Sequence, residues 1–176
     1  MKSDGDDSGL IGLPPPQTLP SGLFSGREVF RQMVRDAFST AARDGWHEMV
    51  ICDSSFEDWP LRELSVVSSL HAWAKNGRHL TMLATSFDGV ARNQPRFVAF
   101  RKTWSHIIEC RRCRTPVAAD FPSAILSRHW VMQRLDVVRS AGVSGDEPGR
   151  RVRLKEILDE KIRASILGFP ATTLGL

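Results

Sequence analysis

The chain has 176 residues, 41% hydrophobic and 25% charged, enough for one ordinary core and too few for two once a disordered tail is subtracted. No apolar run approaches a membrane span, and MKSDGDDSGLIGLPPPQTLPSG lacks the basic start and long apolar stretch of a secretory signal, so a cytoplasmic location is expected. A formal charge of +4 does not by itself define a nucleic-acid protein, and the odd set Cys52, Cys110 and Cys113 suits free thiols in a reducing compartment.

Residues 1–24 read as a disordered Pro/Gly-rich leader, because Pro14-Pro15-Pro16 excludes helix and the segment is rich in Gly, Asp, Ser and Pro. A single α/β domain is expected over 25–176. Ser25 and Glu28 stand in the S-x-x-E relation of a capping box, and Val29, Phe30, Met33, Val34, Ala37, Phe38 and Ala41 follow at helical spacing until Gly45. EMVICD then predicts a buried strand that delivers Asp53 to its C-terminal end. After the loop SSFEDWP, Asp58 and Pro60 predict a helix start, with Leu61, Leu64, Val67, Leu70 and Ala74 facing inward and Gly77 as the stop. HLTMLA predicts a second strand. Strand, helix, strand in this order is a βαβ unit and implies a parallel pair.

From Phe87 to Trp104 the pattern is helical in two pieces divided near Pro95, since proline disfavours helical geometry in the residue before it. HIIEC, SAILS and HWVMQRL predict further strands, with a loop through Pro116 and Pro122. PGRRVRLKEILDEKIRASILG places Leu154, Ile157, Leu158 and Ile162 on one stripe of a last helix ending near Gly168. The expected sheet is mixed, mostly parallel and flanked by helices.

Within SRHWVMQRLD, His129 and Asp136 keep the spacing H-x-x-x-x-x-x-D with Val131 between them, and GVSG follows at Gly142–Gly145. That is the phospholipase D signature H-x-K-x-x-x-x-D with its lysine replaced. Together with DWPL (58–61), PRFVAFRKTWSH (95–106), SRHW (127–130) and GFP (168–170), these residues make the chain, from about Gly26 onward, similar to an uncharacterised bacterial domain family. That family has a phospholipase D-like α/β fold and also occurs C-terminal to GNAT acetyltransferase domains. The resemblance implies a phospholipase D-like half and leaves the activity open. In that chemistry one histidine attacks phosphorus, a second protonates the leaving group, and lysines hold the phosphate oxygens. Val131 cannot hold phosphate, so no catalytic residue is assigned, with His129 the nucleophile if activity survives. Active sites of this kind combine two motif halves, so one degenerate half implies a homodimer or another protein partner.

The expected function is therefore a non-catalytic binding or regulatory domain for an anionic or phosphate-bearing ligand, with Ser127, Arg128, His129, Arg96 and Arg101 as ligand-binding candidates. The alternative is a divergent phosphodiesterase or nuclease using His129 in a dimer. A third reading makes the domain an accessory to another protein, tethered by its leader. Arg92, Arg96, Arg101, Lys102, Arg111, Arg112 and Arg114 form a basic run whose interleaved Phe97, Phe100 and Trp104 could stack on bases, but their helical spacing favours the core over nucleic-acid binding. His106, Cys110 and Cys113 give H-x-x-x-C-x-x-C, short of the second tight pair usual in zinc sites, and no metal or cofactor is assigned. Asp53, Glu57 and Asp58 gather carboxylates at a strand end, where open α/β sheets bind ligands.

Overall fold

The computed structural model describes residues 18–76, 78–114 and 120–170. Most of the expected leader, the Gly77 stop and Pro116 lie outside them. The elements run β1 (Gly22–Phe24), α1 (Arg27–Asp44), β2 (Glu48–Cys52), α2 (Leu64–Ala74), β3 (His79–Ala84), α3 (Asp88–Asn93), α4 (Pro95–Thr103), β4 (Ile108–Arg112), β5 (Ser123–Ser127), β6 (Val131–Asp136), β7 (Ala141–Gly145), α5 (Pro148–Arg163) and β8 (Ile166–Leu167). The strands form one 8-stranded sheet in the order β1-β7-β6-β5-β2-β3-β4-β8.

The sheet is mostly antiparallel, which corrects the expectation of a mostly parallel one. β2–β3 and β3–β4 are parallel, joined by α2 and by α3 with α4. β5, β6 and β7 follow one another through short turns, and a turn of that length can join only antiparallel neighbours. β5 then returns antiparallel to β2, and the short edge strands β1 and β8 are antiparallel as well. Edges this short offer little backbone to another chain.

Alternation along the strands divides the core between two faces. Met49, Ile51, Leu80, Met82, Ile108, Cys110, Ile125 and Met132 pack beneath α1 to α4, where Phe30, Phe38, Trp73, Phe97 and Phe100 are almost wholly buried. Val50, Cys52, Leu83, Ala124, Leu126 and Val131 face Leu154 and Leu158 of α5. One helix covers this second face, so α5 needs only a narrow apolar stripe, and Ile157 is exposed.

Several helix ends differ from the sequence expectation. Gly26, at φ 107°, is the N-cap of α1, and no side chain caps the helix. Glu28 pairs with Arg35 instead, at 2.7 Å. Arg35 also grips Glu63 through Nε and Nη2, at 2.7 and 2.8 Å, a two-pronged bond that ties α1 to the start of α2. Hydrogen bonding to Arg35 holds the Glu63 carboxyl below its ordinary range. α2 starts at Leu64, later than Asp58 and Pro60 suggested, and Leu64 is exposed while Leu61 is buried in the preceding turn. Gly45 does end α1, in the left-handed conformation at φ 64°. α5 stops at Arg163, because Ile166 and Leu167 pair with β4.

The segment Thr18–Phe24, assigned to the leader from sequence, is built into the sheet. Pro20 O accepts from Trp130 Nε1 at 2.9 Å and from Ser144 Oγ at 2.8 Å, and β1 then pairs with β7.

Candidate functional site

His129 lies in the turn between β5 and β6. Ser127 shapes that turn: its Oγ accepts from the backbone N–H of His129 at 3.2 Å and of Trp130 at 2.9 Å, and donates to Trp130 O at 2.8 Å. This is the local side-chain turn that serine favours, and it occupies the hydroxyl fully. β6 therefore begins at Val131, and His129 lies outside the strand that HWVMQRL predicts. Val131 is fully buried in the cluster under α5, while His129 faces the α1 side.

There His129 lines a cavity of about 490 Å³ with Thr40, Arg43, Asp44, Trp46 and Asp146. Its ring centroid is 6.1 Å from that of Trp46. Arg128 faces the other way. It lines a groove of about 470 Å³ between the sheet and α5 with Val50, Leu126, Arg151 and Lys155, and with the carboxylates of Glu48 and Asp159, the second of which pairs with Lys155. Arg151 Nη1 donates to Arg128 O, which draws the two arginines together, and Arg151 Nε is buried with no hydrogen-bond partner among the described residues.

The candidate residues are thus brought together only in part. Ser127, Arg128 and His129 share one turn but serve two cavities. Arg96 is exposed on α4 and donates to Arg62 O at 3.0 Å. Arg101 is buried against β4, three strands from β5, or about 14 Å at ordinary strand spacing. Phe97 and Phe100 are fully buried, as their helical spacing predicts, so they offer no platform for bases.

Sequence reasoning missed Arg151 and Lys155, although a signal was present. Between Pro148 and Lys155 the helix carries Arg150, Arg151, Arg153 and Lys155 and no acid. Two of them make ordinary helix pairs, Arg150 with Glu147 and Lys155 with Asp159, while Arg151 in the first turn has no carboxylate partner among the described residues.

At the opposite end of the sheet, Asp53 and Asp58 are not free to do chemistry. Arg134, whose side chain is 1% exposed, donates from Nη2 to Asp53 at 2.8 Å, from Nη1 to Asp58 at 3.2 Å and from Nε to Ser123 Oγ at 3.1 Å. Its guanidinium also lies 4.1 Å from the centre of the Phe30 ring. The other Asp53 oxygen accepts from the backbone N–H of Ser55 and Phe56 at 3.1 and 2.9 Å. Both carboxylates are neutralised by one arginine, an arrangement that fixes a loop. Glu57 is exposed.

His106, Cys110 and Cys113 do not converge. Cys110 packs under the α1 to α4 layer and Cys113 in the cluster under α5, on opposite faces of the sheet. Burial pushes all three thiols above their ordinary range, most strongly Cys52. A thiol must ionise to react. Native protein at neutral pH is therefore expected to take up a thiol-modifying reagent far more slowly than denatured protein, and prompt labelling of the native form would contradict these positions.

These observations define a phospholipase D-like α/β fold. No protein-family model matches the chain, and no curated protein matches its sequence. Solved structures do. TrmBL2, an archaeal chromatin protein with a novel mode of DNA binding, superposes with a TM-score of 0.61 at 11% identity over 90% of this chain, which spans 57% of that protein's length. Nuc from Salmonella typhimurium, a phospholipase D family member, superposes with a TM-score of 0.59 at 12% identity over 84% of this chain and 98% of its own. Phosphatidylserine synthase from Haemophilus influenzae gives 0.54 at 13% identity over 83% of this chain and 39% of its own. At such identities the likeness is one of fold. Among the described residues, no helix is long and apolar enough to cross a membrane.

Proposed function

We propose that the protein is a binding or regulatory domain that takes a phosphate-bearing ligand in the groove between α5 and the sheet and does not turn it over. The observation that carries this reading is the meeting of Arg128 and Arg151 beside the apolar Val50 and Leu126, with Lys155 held next to them by Asp159 and with Arg151 Nε buried without a hydrogen-bond partner among the described residues. The groove's volume of about 470 Å³ suits a small molecule. Its chemistry suits one with an anionic group at the rim and an apolar or ring portion below. Val131 argues against catalysis, because it is buried on the α5 side where it can hold no phosphate oxygen.

The test is a thermal-shift and calorimetric titration with nucleotides, short oligonucleotides and glycerophosphate headgroups at constant ionic strength. At least one should stabilise the wild type, and Arg151→Glu should weaken its binding at least tenfold with little change in the unliganded Tm. Equal binding by Arg151→Glu would remove the groove from consideration.

The exposed His129 cavity favours a second reading, a phosphodiesterase completed by a second copy. Thr40, Trp46 and Asp146 line the cavity, and the second histidine of such chemistry would have to come from the other chain. Turnover lost in His129→Ala with an unchanged Tm would support it. A monomeric mass by light scattering at assay concentration would exclude it.

A further inference from the structure

A second feature lies across the sheet, where α4 leads into β4. Arg101, in the last turn of α4, is 8% exposed. Its Nε donates to Cys110 Sγ at 3.3 Å, and its Nη1 is buried with no hydrogen-bond partner among the described residues. No described carboxylate pairs with it. The neighbouring acid, Glu109, is turned to Arg111, with His79 Nε2 at 3.7 Å from its other oxygen. Cys110 supplies no countercharge, because burial holds its thiol in the neutral form.

A guanidinium cannot shed its proton to escape burial, and an unpaired buried cation is among the costliest features a core can carry. The contrast with Arg134 is informative. That arginine, buried more deeply still at 3% exposed, is met by two carboxylates. Arg101 instead borders a cavity of about 560 Å³ whose other polar walls are His79, Ser105, His106 and Glu109, closed at one side by Leu167 and Gly168 at the end of β8. Apart from Glu109, already paired with Arg111, these side chains can all donate hydrogen bonds.

We infer that this cavity is an oxyanion site, in which a phosphate or carboxylate group of a small ligand supplies the countercharge that no described residue gives Arg101, with Ser105 and His106 as further donors. Arginine suits this role because its fixed fork matches the geometry of planar and tetrahedral oxyanions. The site is independent of the groove under α5. It is built from different elements, belongs to the opposite helix layer and stands across three strands. The two can therefore fail or succeed separately.

The experiment is a thermal-shift titration with inorganic phosphate and with citrate, each against chloride at matched ionic strength, on the wild type, Arg101→Met and Arg151→Glu. The wild type is expected to gain roughly 5–10 °C when the free anion reaches about one hundred times its Kd. Arg101→Met should lose that gain while its Tm without added anion stays at or above the wild-type value, since it removes a buried charge that has no partner. Arg151→Glu should keep the gain. The choice between phosphate and citrate tells a phosphate site from a carboxylate site. A wild type indifferent to both anions, or an Arg101→Met protein that retains the full shift, overturns the inference. If Arg101→Met does not fold, exposed His106→Asp places a negative charge in the cavity; it should weaken anion binding at least tenfold, and unchanged affinity would equally overturn it.

Discussion

Arg134→Met is expected to destabilise the protein by about 3–5 kcal/mol, the range for breaking one side of a buried ion pair. In a thermal scan that is a fall in Tm of roughly 10 °C for a chain of this size. The loss arises less from the bonds of Arg134 than from what its removal leaves behind: Asp53, 4% exposed, would keep its charge with no cation beside it. Methionine is the informative replacement because it keeps an apolar stem against Phe30 and so isolates the charge from the packing. Asp53→Asn should cost less, since an amide oxygen can still accept from Ser55 and Phe56. The double variant should cost clearly less than the sum of the two singles, as partners in one network are not additive. If urea denaturation finds Arg134→Met within about 1 kcal/mol of wild type, the network does not hold this end of the sheet.

Local pattern carried the first half of the fold well. α1, β2, β3 and the division of α3 from α4 at Pro95 follow from apolar spacing, Gly45 and proline geometry, all written in neighbouring residues. The sheet's mostly antiparallel character was less legible, because one βαβ unit says nothing about strands that come later. The absence of a helix pattern between β4 and β7 was the available signal, since parallel strands need a crossover. β1 was hidden for another reason: its pairing partner β7 lies more than a hundred residues away, and Pro20 reads as a breaker unless one knows that its carbonyl serves Trp130 and Ser144.

The sites show the same division. That Ser127, Arg128 and His129 are neighbours is local, but HWVMQRL read as a strand; the turn that sends Arg128 and His129 to opposite faces depends on the hydroxyl of Ser127 closing it. The capping role expected of Asp58 gave way to a residue 76 positions later, Arg134, whose value as a partner no local spacing reveals. Arg101 was singled out as a ligand candidate and as one cation in a basic run, yet its distinguishing property is burial without a countercharge among the described residues. That is a property of three-dimensional surroundings, and composition cannot supply it.

Gly142→Ala should be nearly as damaging, at about 3–4 kcal/mol, although it adds a single methyl group. A Cβ at this position would stand 2.1 Å from Gln133 O, 2.8 Å from Arg134 Cα and 2.7 Å from the tip of the Phe24 ring. The first two are backbone atoms of the paired strand, so they cannot swing aside as a side chain would. The site adjoins the irregularity between Arg134 and Asp136, where β6 carries one residue more than β7 and Leu135 is turned out to solvent. Strands forced apart there would move Arg134 away from Asp53 and loosen the contact with β1, so one methyl would disturb both the buried ion pair and the N-terminal anchor. Gly149→Ala in α5 is the matched control. Its Cβ would meet only Arg153 Nη1, at 3.6 Å, the far end of a flexible side chain. In a helix that exchange should be neutral or stabilising by up to about 1 kcal/mol. Urea denaturation of the two variants should therefore give opposite signs, and a Gly142→Ala protein as stable as wild type would mean that β6 and β7 are not packed this closely.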